Sequence, residues 1–377
     1  MVRLNRRAFL LLVSAALGGT ALSTIYLHLR SYGQTRAPQE ENYTIETIKE
    51  GLVIPWEIEF LSSDEALVTE RPGRVSLVTL STGRSQVLGE IDVAHVGEGG
   101  LLGLAHTGAG ERVITYYTYR DGGRLYNRVH LWDSFEFKEG VVLLDKIPAS
   151  SVHDGGRIKI GPDGKLYITT GDAAVPESAQ DLASLAGKIL RINLDGSIPR
   201  ENPFPSSPIY SYGHRNPQGI CWRQGGEQFF ATEHGPSGEM GMVANDELNR
   251  IMPGGNYGWP RVVGKRDVEG FIAPIYYSGN ETWAPAGCTF YYGKDFPDWV
   301  DNLFFTALRG EHLHRVELSG DGWRVIESEK LLQGVYGRLR NIVQGPDSLL
   351  YLLTSNRDGR GSVRPGDDKL LRLTPKG

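Results

Sequence analysis

Residues 161–172 read GPDGKLYITTGD and residues 345–356 read GPDSLLYLLTSN. Each is a Gly-Pro-Asp turn followed by a short apolar run, as expected of a buried strand entered through a tight turn. The same logic recurs in SSDEALVTER (62–71), GERVITYYTY (110–119), GEQFFATEHG (226–235) and DNLFFTALRG (301–310). Second strand-like runs follow, such as RVSLVTL, NRVHLWD, KILRINL and HLHRVEL. Repeats of about 40 residues or more, each carrying several short strands, define the blades of a propeller. One such sheet cannot bury both its faces, whereas six closing around an axis cover every face and leave no long exposed edge. The expected fold is all-β: a six-bladed β-propeller of four-stranded antiparallel blades, forming a single domain over 43–377. A two-sheet sandwich is the competing architecture.

Composition points the same way. The 48 Gly and 20 Pro, with 17 Tyr, 12 Phe and 7 Trp, describe many turns between aromatic strands rather than long helices. An apolar share of 40% and a charged share of 23% suffice for a packed core and exclude a disordered chain. The net charge of −5 is spread with mixed signs, so no basic stripe exists for a phosphate backbone and no nucleic-acid partner is expected. Cys221 and Cys288 are too few for a disulfide framework and too widely spaced for a zinc motif, which leaves one disulfide or two buried thiols.

At the N-terminus Arg3, Arg6 and Arg7 precede an apolar run from Ala8 to Leu29, broken by Gly18 and Gly19. This reads as an export signal or membrane anchor over 1–33, followed by a polar linker over 34–42. The expected location is exported, whether periplasmic, extracellular or held at the cell surface, with membrane contact only through this segment. The stretch NRRAFLLL resembles a twin-arginine signal, which serves proteins exported already folded around a cofactor.

Propellers concentrate function where strand-connecting loops converge at one end of the axis. The loops here carry Glu98 (HVGEGGLLGLA), His153 (SVHDGGRI), Arg215 and Asn216 (YGHRNPQG), and Glu233 with His234 (EHGPSG). Arg309 (TALRGEH) and the pair Arg338 and Arg340 (GRLRN) complete the set. Arginines converging on one cavity call for an anion, and a rigid polycarboxylate held by bidentate forks suits them.

Taken in order, GLVIPWEIEFL, LVTERPGRV, GEGGLLGLA, HDGGRIKIGPDGKLYITTGD, YGHRNPQG, EHGPSG, DELNRIMPGGNYGWP and GRLRNIVQGPDSLLYLLT resemble one family. It is that of the soluble pyrroloquinoline quinone-dependent sugar dehydrogenases, within it the aldose sugar dehydrogenase branch. The resemblance covers essentially everything from about Gly51 to Pro375. It implies oxidation of an aldose C1 hydroxyl to a lactone, with hydride passing to the quinone and electrons leaving to an external acceptor. His153 matches the general base, a role suited to an imidazole that titrates near neutrality. Arg215 and Asn216 match residues that hold the quinone and stabilise charge on its oxygens, and Arg338 and Arg340 match those that bind its carboxylates. Arg309 stands where other members carry a Lys, and Glu98 where they commonly carry a Gln against the quinone. The carbonyls of Gly235 and Pro236 match ligands of a cofactor-bound Ca2+, while Glu247, the carbonyl of Tyr257 and Asp246 match a second, structural calcium site. Val152 occupies the place where the glucose-oxidising branch has an Asp that orients the base. The loops around Trp283 and Tyr291 are expected to set the preferred sugar.

Two other classes compete. A calcium-dependent lactonase-like hydrolase needs a ring of Asp, Asn and Glu, whereas the candidate ring here is rich in Arg. A non-catalytic binding propeller has no use for a His-plus-arginine constellation.

Overall fold

The computed structural model describes residues 42–376. The expected export signal or anchor over 1–33 and the expected linker over 34–42 lie, Asn42 apart, outside the described residues.

Six four-stranded antiparallel sheets form the blades of a β-propeller. Blade one is Pro55–Phe60, Glu65–Glu70, Arg74–Thr79 and Arg84–Glu90, in that order from the axis outward. The first strands of blades two to six are Leu101–His106, Ile158–Ile160, Pro217–Trp222, Pro285–Phe290 and Leu339–Gln344. In blade six the outermost strand is Tyr43–Lys49, paired with Leu370–Pro375, so the first described strand closes the ring beside the last.

Each of the six recurrent stretches in the sequence is the second strand of a blade. Leu166–Thr170, Phe229–Glu233, Leu303–Ala307 and Leu350–Thr354 are buried along their whole length because neighbouring blades cover both faces. The outermost strands Arg84–Glu90 and Val325–Leu331 contain no buried residue. Their polar sequences follow from that position. The turn chemistry also repeats: in blade three Tyr167 donates to Asp163 at 3.1 Å, and in blade six Tyr351 donates to Asp347 at 2.8 Å.

Between blades four and five Phe230, Leu303, Phe305 and Phe290 are at most 3% exposed. Each contributes roughly 1.5–3 kcal/mol by leaving water, which locks the blades face to face. Cys221 and Cys288 lie on the first strands of these blades as two buried free thiols. Burial and the neighbouring thiol push Cys221 well up.

A polar plug closes the axis. The fully buried Arg157 pairs with Glu57, donates from Nε to the Gln218 carbonyl at 2.9 Å, and lies 3.9 Å over the Trp56 ring. Asn341 donates to the other Glu57 oxygen. Four blades thus meet in one ion-paired knot. Removing one partner from such a pair typically costs about 3–5 kcal/mol.

Candidate active site

A cavity of about 600 Å³ opens at the end where first strands begin and second strands finish. At this end the pairing of first and second strands slips register in five blades, between Pro55 and Glu57, Leu101 and Leu104, Pro217 and Gly219, Pro285 and Cys288, and Leu339 and Asn341. Such bulges re-aim side chains, here toward the axis. Six arginines line the wall: Arg71, Arg215, Arg309, Arg338, Arg340 and Arg360.

His153 occupies the wall from blade three. Its backbone sits at φ 60°, a region that costs a non-glycine residue about 1–2 kcal/mol. Two hydrogen bonds hold it there: its N–H donates to Glu98 Oε2 at 2.9 Å, and its carbonyl accepts from Ala173 at 3.2 Å. Gly171 permits this packing, since a Cβ there would stand 1.9 Å from the His153 carbonyl oxygen. Nδ1 donates to Asp172 Oδ1 at 2.7 Å, and Asp172 Oδ2 accepts the Trp259 indole N–H at 2.8 Å. A fully buried carboxylate on Nδ1 fixes that tautomer and leaves Nε2 as an acceptor toward the cavity.

Glu98 pairs with Arg360 at 2.6 Å. Burial acts to raise its carboxyl, but Arg360 and the His153 N–H more than reverse this and hold it at about 2. It is therefore ionised but not uncompensated. Arg338 pairs with Asp358 at 2.7 Å. Arg340 donates to Gln218 at 3.0 Å, and burial, helped by Arg71 and Arg338, pushes it down to about 9. Asp154, next to the base, is buried and pushed up to about 7 by desolvation, with the Glu98 charge adding to it. Its Oδ1 accepts from Asn127 and from the Ser150 N–H, both at 3.2 Å.

Five of the buried polar atoms that lack a partner lie on or beneath this wall: Arg215 Nε, Arg340 Nε, Asn216 Nδ2, His234 Nε2 and Asp154 Oδ2. Burial, with Arg215 and Arg340, pushes His234 down to about 3, so it is neutral. A wall with cationic forks and unused donors fits a rigid polyanion that brings its own acceptors.

Glu98, His153, Arg215, Arg309, Arg338, Arg340 and Pro236 all line the cavity, with Arg309 exposed at its mouth. Asn216 does not reach the wall: its Oδ1 accepts from the Gly155 N–H and from Gln218, both at 3.1 Å, beneath the floor. Gly235 also lies off the wall. Asp246 is saturated by backbone donors, the N–H groups of Gly235, Trp283 and Ala284. Glu247 accepts from Gly264 N–H and Asn249 and is register-paired with Glu233, while Tyr257 stacks on His214. Among the described residues no cluster of three or more His, Cys, Asp or Glu is arranged to hold a metal. Trp283 and Tyr291 are buried away from the wall; the neighbours of Trp283, Thr282 and Ala284, line it instead, while the residues flanking Tyr291 do not. Glu233 sits behind the wall, accepting from His214 Nδ1 at 2.8 Å and from the Arg215 N–H.

Sequence reasoning missed Trp56, Arg71, Asp154, Asp172, Gln218, Glu239, Asp358 and Arg360. For Asp172 a signal existed, since it closes a recurrent sequence stretch just as Arg71 does, one or two residues beyond the strand.

The profile of the family described as Glucose / Sorbosone dehydrogenase matches residues 52–372. Aldose sugar dehydrogenase YliI of Escherichia coli is 31% identical over 363 residues, covering 88% of this chain and 93% of the relative. Quinoprotein glucose dehydrogenase B of Acinetobacter calcoaceticus is 40% identical over 158 residues, 36% of this chain and 32% of the relative. The PQQ-bound structure of aldose sugar dehydrogenase from Streptomyces coelicolor superposes with a TM-score of 0.79 at 36% identity, covering 90% of this chain and 100% of that one.

Proposed function

Because this chain belongs to the glucose/sorbosone dehydrogenase family, we propose that it oxidises the C1 hydroxyl of aldose sugars to a lactone with a bound pyrroloquinoline quinone. Electrons then pass to an external acceptor. The observation that carries the reading is the His153–Asp172 pair set into an arginine-lined wall. Arg338, Arg340, Arg215 and Arg309 would hold the planar tricarboxylate, and the unpartnered Arg215 Nε and Arg340 Nε are donors waiting for such acceptors. When bound, the quinone supplies a carbonyl carbon able to take hydride.

The chain's own groups do the rest. Nε2 of His153 receives the hydroxyl proton as negative charge builds on the sugar oxygen, and Asp172 stabilises the imidazolium that results. Arg215, whose side chain is 3% exposed, presents fixed positive charge in a poorly solvated wall, where it acts most strongly. A cofactor-associated Ca2+ on the Gly235 and Pro236 carbonyls belongs to this proposal. It is supported by the absence, among the described residues, of any hydrogen bond to those two oxygens. A structural calcium beside Glu247 is supported by its register pairing with Glu233: desolvation and the Glu233 carboxylate push the Glu247 carboxyl up to about 8, a mutual strain that a cation between them would relieve.

A metal-centred hydrolase is not favoured. Three wall carboxylates are each tied to an arginine: Glu98 to Arg360, Glu239 to Arg215 and Asp358 to Arg338. Export, argued from Arg6, Arg7 and the apolar run behind them, completes the proposal; cell fractionation tests it.

The test is dye reduction by purified apoprotein with glucose, before and after adding the quinone and Ca2+. Activity that appears only with both supports the reading. No quinone binding, and no turnover across several aldoses, returns the chain to a binding propeller. His153→Ala should keep quinone uptake while losing on the order of 10²-fold or more in turnover.

A further inference from the structure

Glu239, in the loop between Phe229–Glu233 and Glu247–Ile251, has no role in the reading above beyond pairing with Arg215. Its Oε1 lies 3.8 Å from Nε2 of His153, the nitrogen that faces the cavity. That separation is too long for a direct hydrogen bond. Both atoms are acceptors, because the proton of His153 sits on Nδ1 against Asp172, and the hydrogen bond and charge of Arg215 outweigh desolvation and hold the Glu239 carboxyl below its ordinary range. A single hydroxyl carries one proton and can donate to only one of them. Two hydroxyls on neighbouring carbons, whose oxygens stand about one hydrogen-bond length apart, can donate to both.

The spacing is built in. Glu239 Oε1 accepts from Arg215 Nη2, and Oε2 accepts from the Ser237 N–H. Trp259 ties the two halves together: its indole N–H holds Asp172 at 2.8 Å, and its ring lies 5.6 Å from the Arg215 guanidinium. Base and carboxylate are thus referenced to one indole. Glu239 is 30% exposed on its side chain against 11% for His153, which places it on the side from which a sugar enters.

We propose that Glu239 is a specificity-determining residue: its carboxylate receives the hydroxyl on the carbon next to the one oxidised, so the preferred substrates are sugars with free hydroxyls at both C1 and C2. The proposal rests on sugar oxidation as argued above.

The experiment compares kcat/KM for glucose and 2-deoxyglucose in the quinone-loaded full chain and its Glu239→Gln variant. Calorimetry of 1,5-anhydroglucitol, which keeps the C2 hydroxyl but has nothing to oxidise at C1, runs alongside. Quinone uptake read by absorbance certifies that the variant cavity is intact. Loss of one charge-assisted hydrogen bond is expected to shrink the glucose to 2-deoxyglucose preference about tenfold or more, and to weaken anhydroglucitol binding by a similar factor. A merely structural role would depress both sugars alike and leave the preference unchanged, which overturns the proposal. If the wild-type chain oxidises no aldose, sugar oxidation falls, and calorimetry alone decides: weaker polyol binding in the variant upholds Glu239 as a hydroxyl receptor, and unchanged binding removes it.

Discussion

Asp172 Oδ1 stands 2.7 Å from His153 Nδ1, where the missing side chain of Gly171 lets the two backbones approach closely. Asp172 lies two residues beyond the second strand of blade three, Leu166–Thr170, and His153 precedes the first, so the pair exists because these strands are antiparallel neighbours.

We predict that Asp172→Asn lowers kcat by on the order of 10²–10⁴-fold, because an amide no longer fixes the Nδ1–H tautomer or stabilises the imidazolium. Quinone affinity should change little. Steady-state kinetics with a parallel quinone titration checks this, and an unchanged kcat would detach Asp172 from the base.

Arg338→Ala should weaken quinone binding by about 10- to 100-fold, the loss expected for charge-assisted hydrogen bonds. It also strands Asp358, which is 4% exposed on its side chain. The double variant Arg338→Ala/Asp358→Asn removes that stranded charge. If the double variant binds the quinone as tightly as wild type, Arg338 does not hold its carboxylates.

Arg360→Ala should lower stability near neutral pH and leave it unchanged in strong acid. The Glu98 carboxyl is held at about 2 against an ordinary value of 4.5, so it stabilises the folded state above about 4.5 and loses that contribution as pH falls toward 2. Arg360 is 56% exposed on its side chain, and solvent screening limits the effect to about 1 kcal/mol. The melting temperatures of wild type and variant should therefore differ at pH 6 and converge near pH 2.

Asp154→Asn should act with the opposite sign. Its carboxyl sits at about 7 in the folded chain against an ordinary 3.8, so folding favours the protonated form and stability is lost as pH rises from about 4 to 7. An asparagine keeps the acceptor for Asn127 and Ser150 but cannot ionise. A gain of about 4 kcal/mol over wild type is expected at pH 8 and little at pH 4. Parallel stability curves across that range would show that Asp154 does not change its protonation on folding.

The blades were legible because burial on both faces writes an unbroken apolar strand, and a turn before it needs Gly, Pro or Asp; LYITT and LYLLT announce themselves. Cationic side chains at strand ends were legible for the same positional reason, which is how Arg215, Arg309, Arg338 and Arg340 group from the sequence alone. Their partners were not. Arg360 reaches Glu98 from another blade, and Glu239 reaches Arg215 across a loop. Which carboxylate neutralises which arginine depends on the closure of the ring. Asn216 illustrates the limit: it neighbours a cavity residue in sequence, yet its amide oxygen accepts from the Gly155 N–H and from Gln218 beneath the floor, and the contact to Gly155 arises only when blades three and four pack. Periodicity and turn chemistry are local, so the sequence by itself determined the repeat, the strand ends and the residue types that would face the axis. Distances between blades arise only when six sheets pack. The tertiary structure therefore decided the tautomer of His153, the charge state of Glu98 and Asp154, and the 3.8 Å gap between His153 and Glu239.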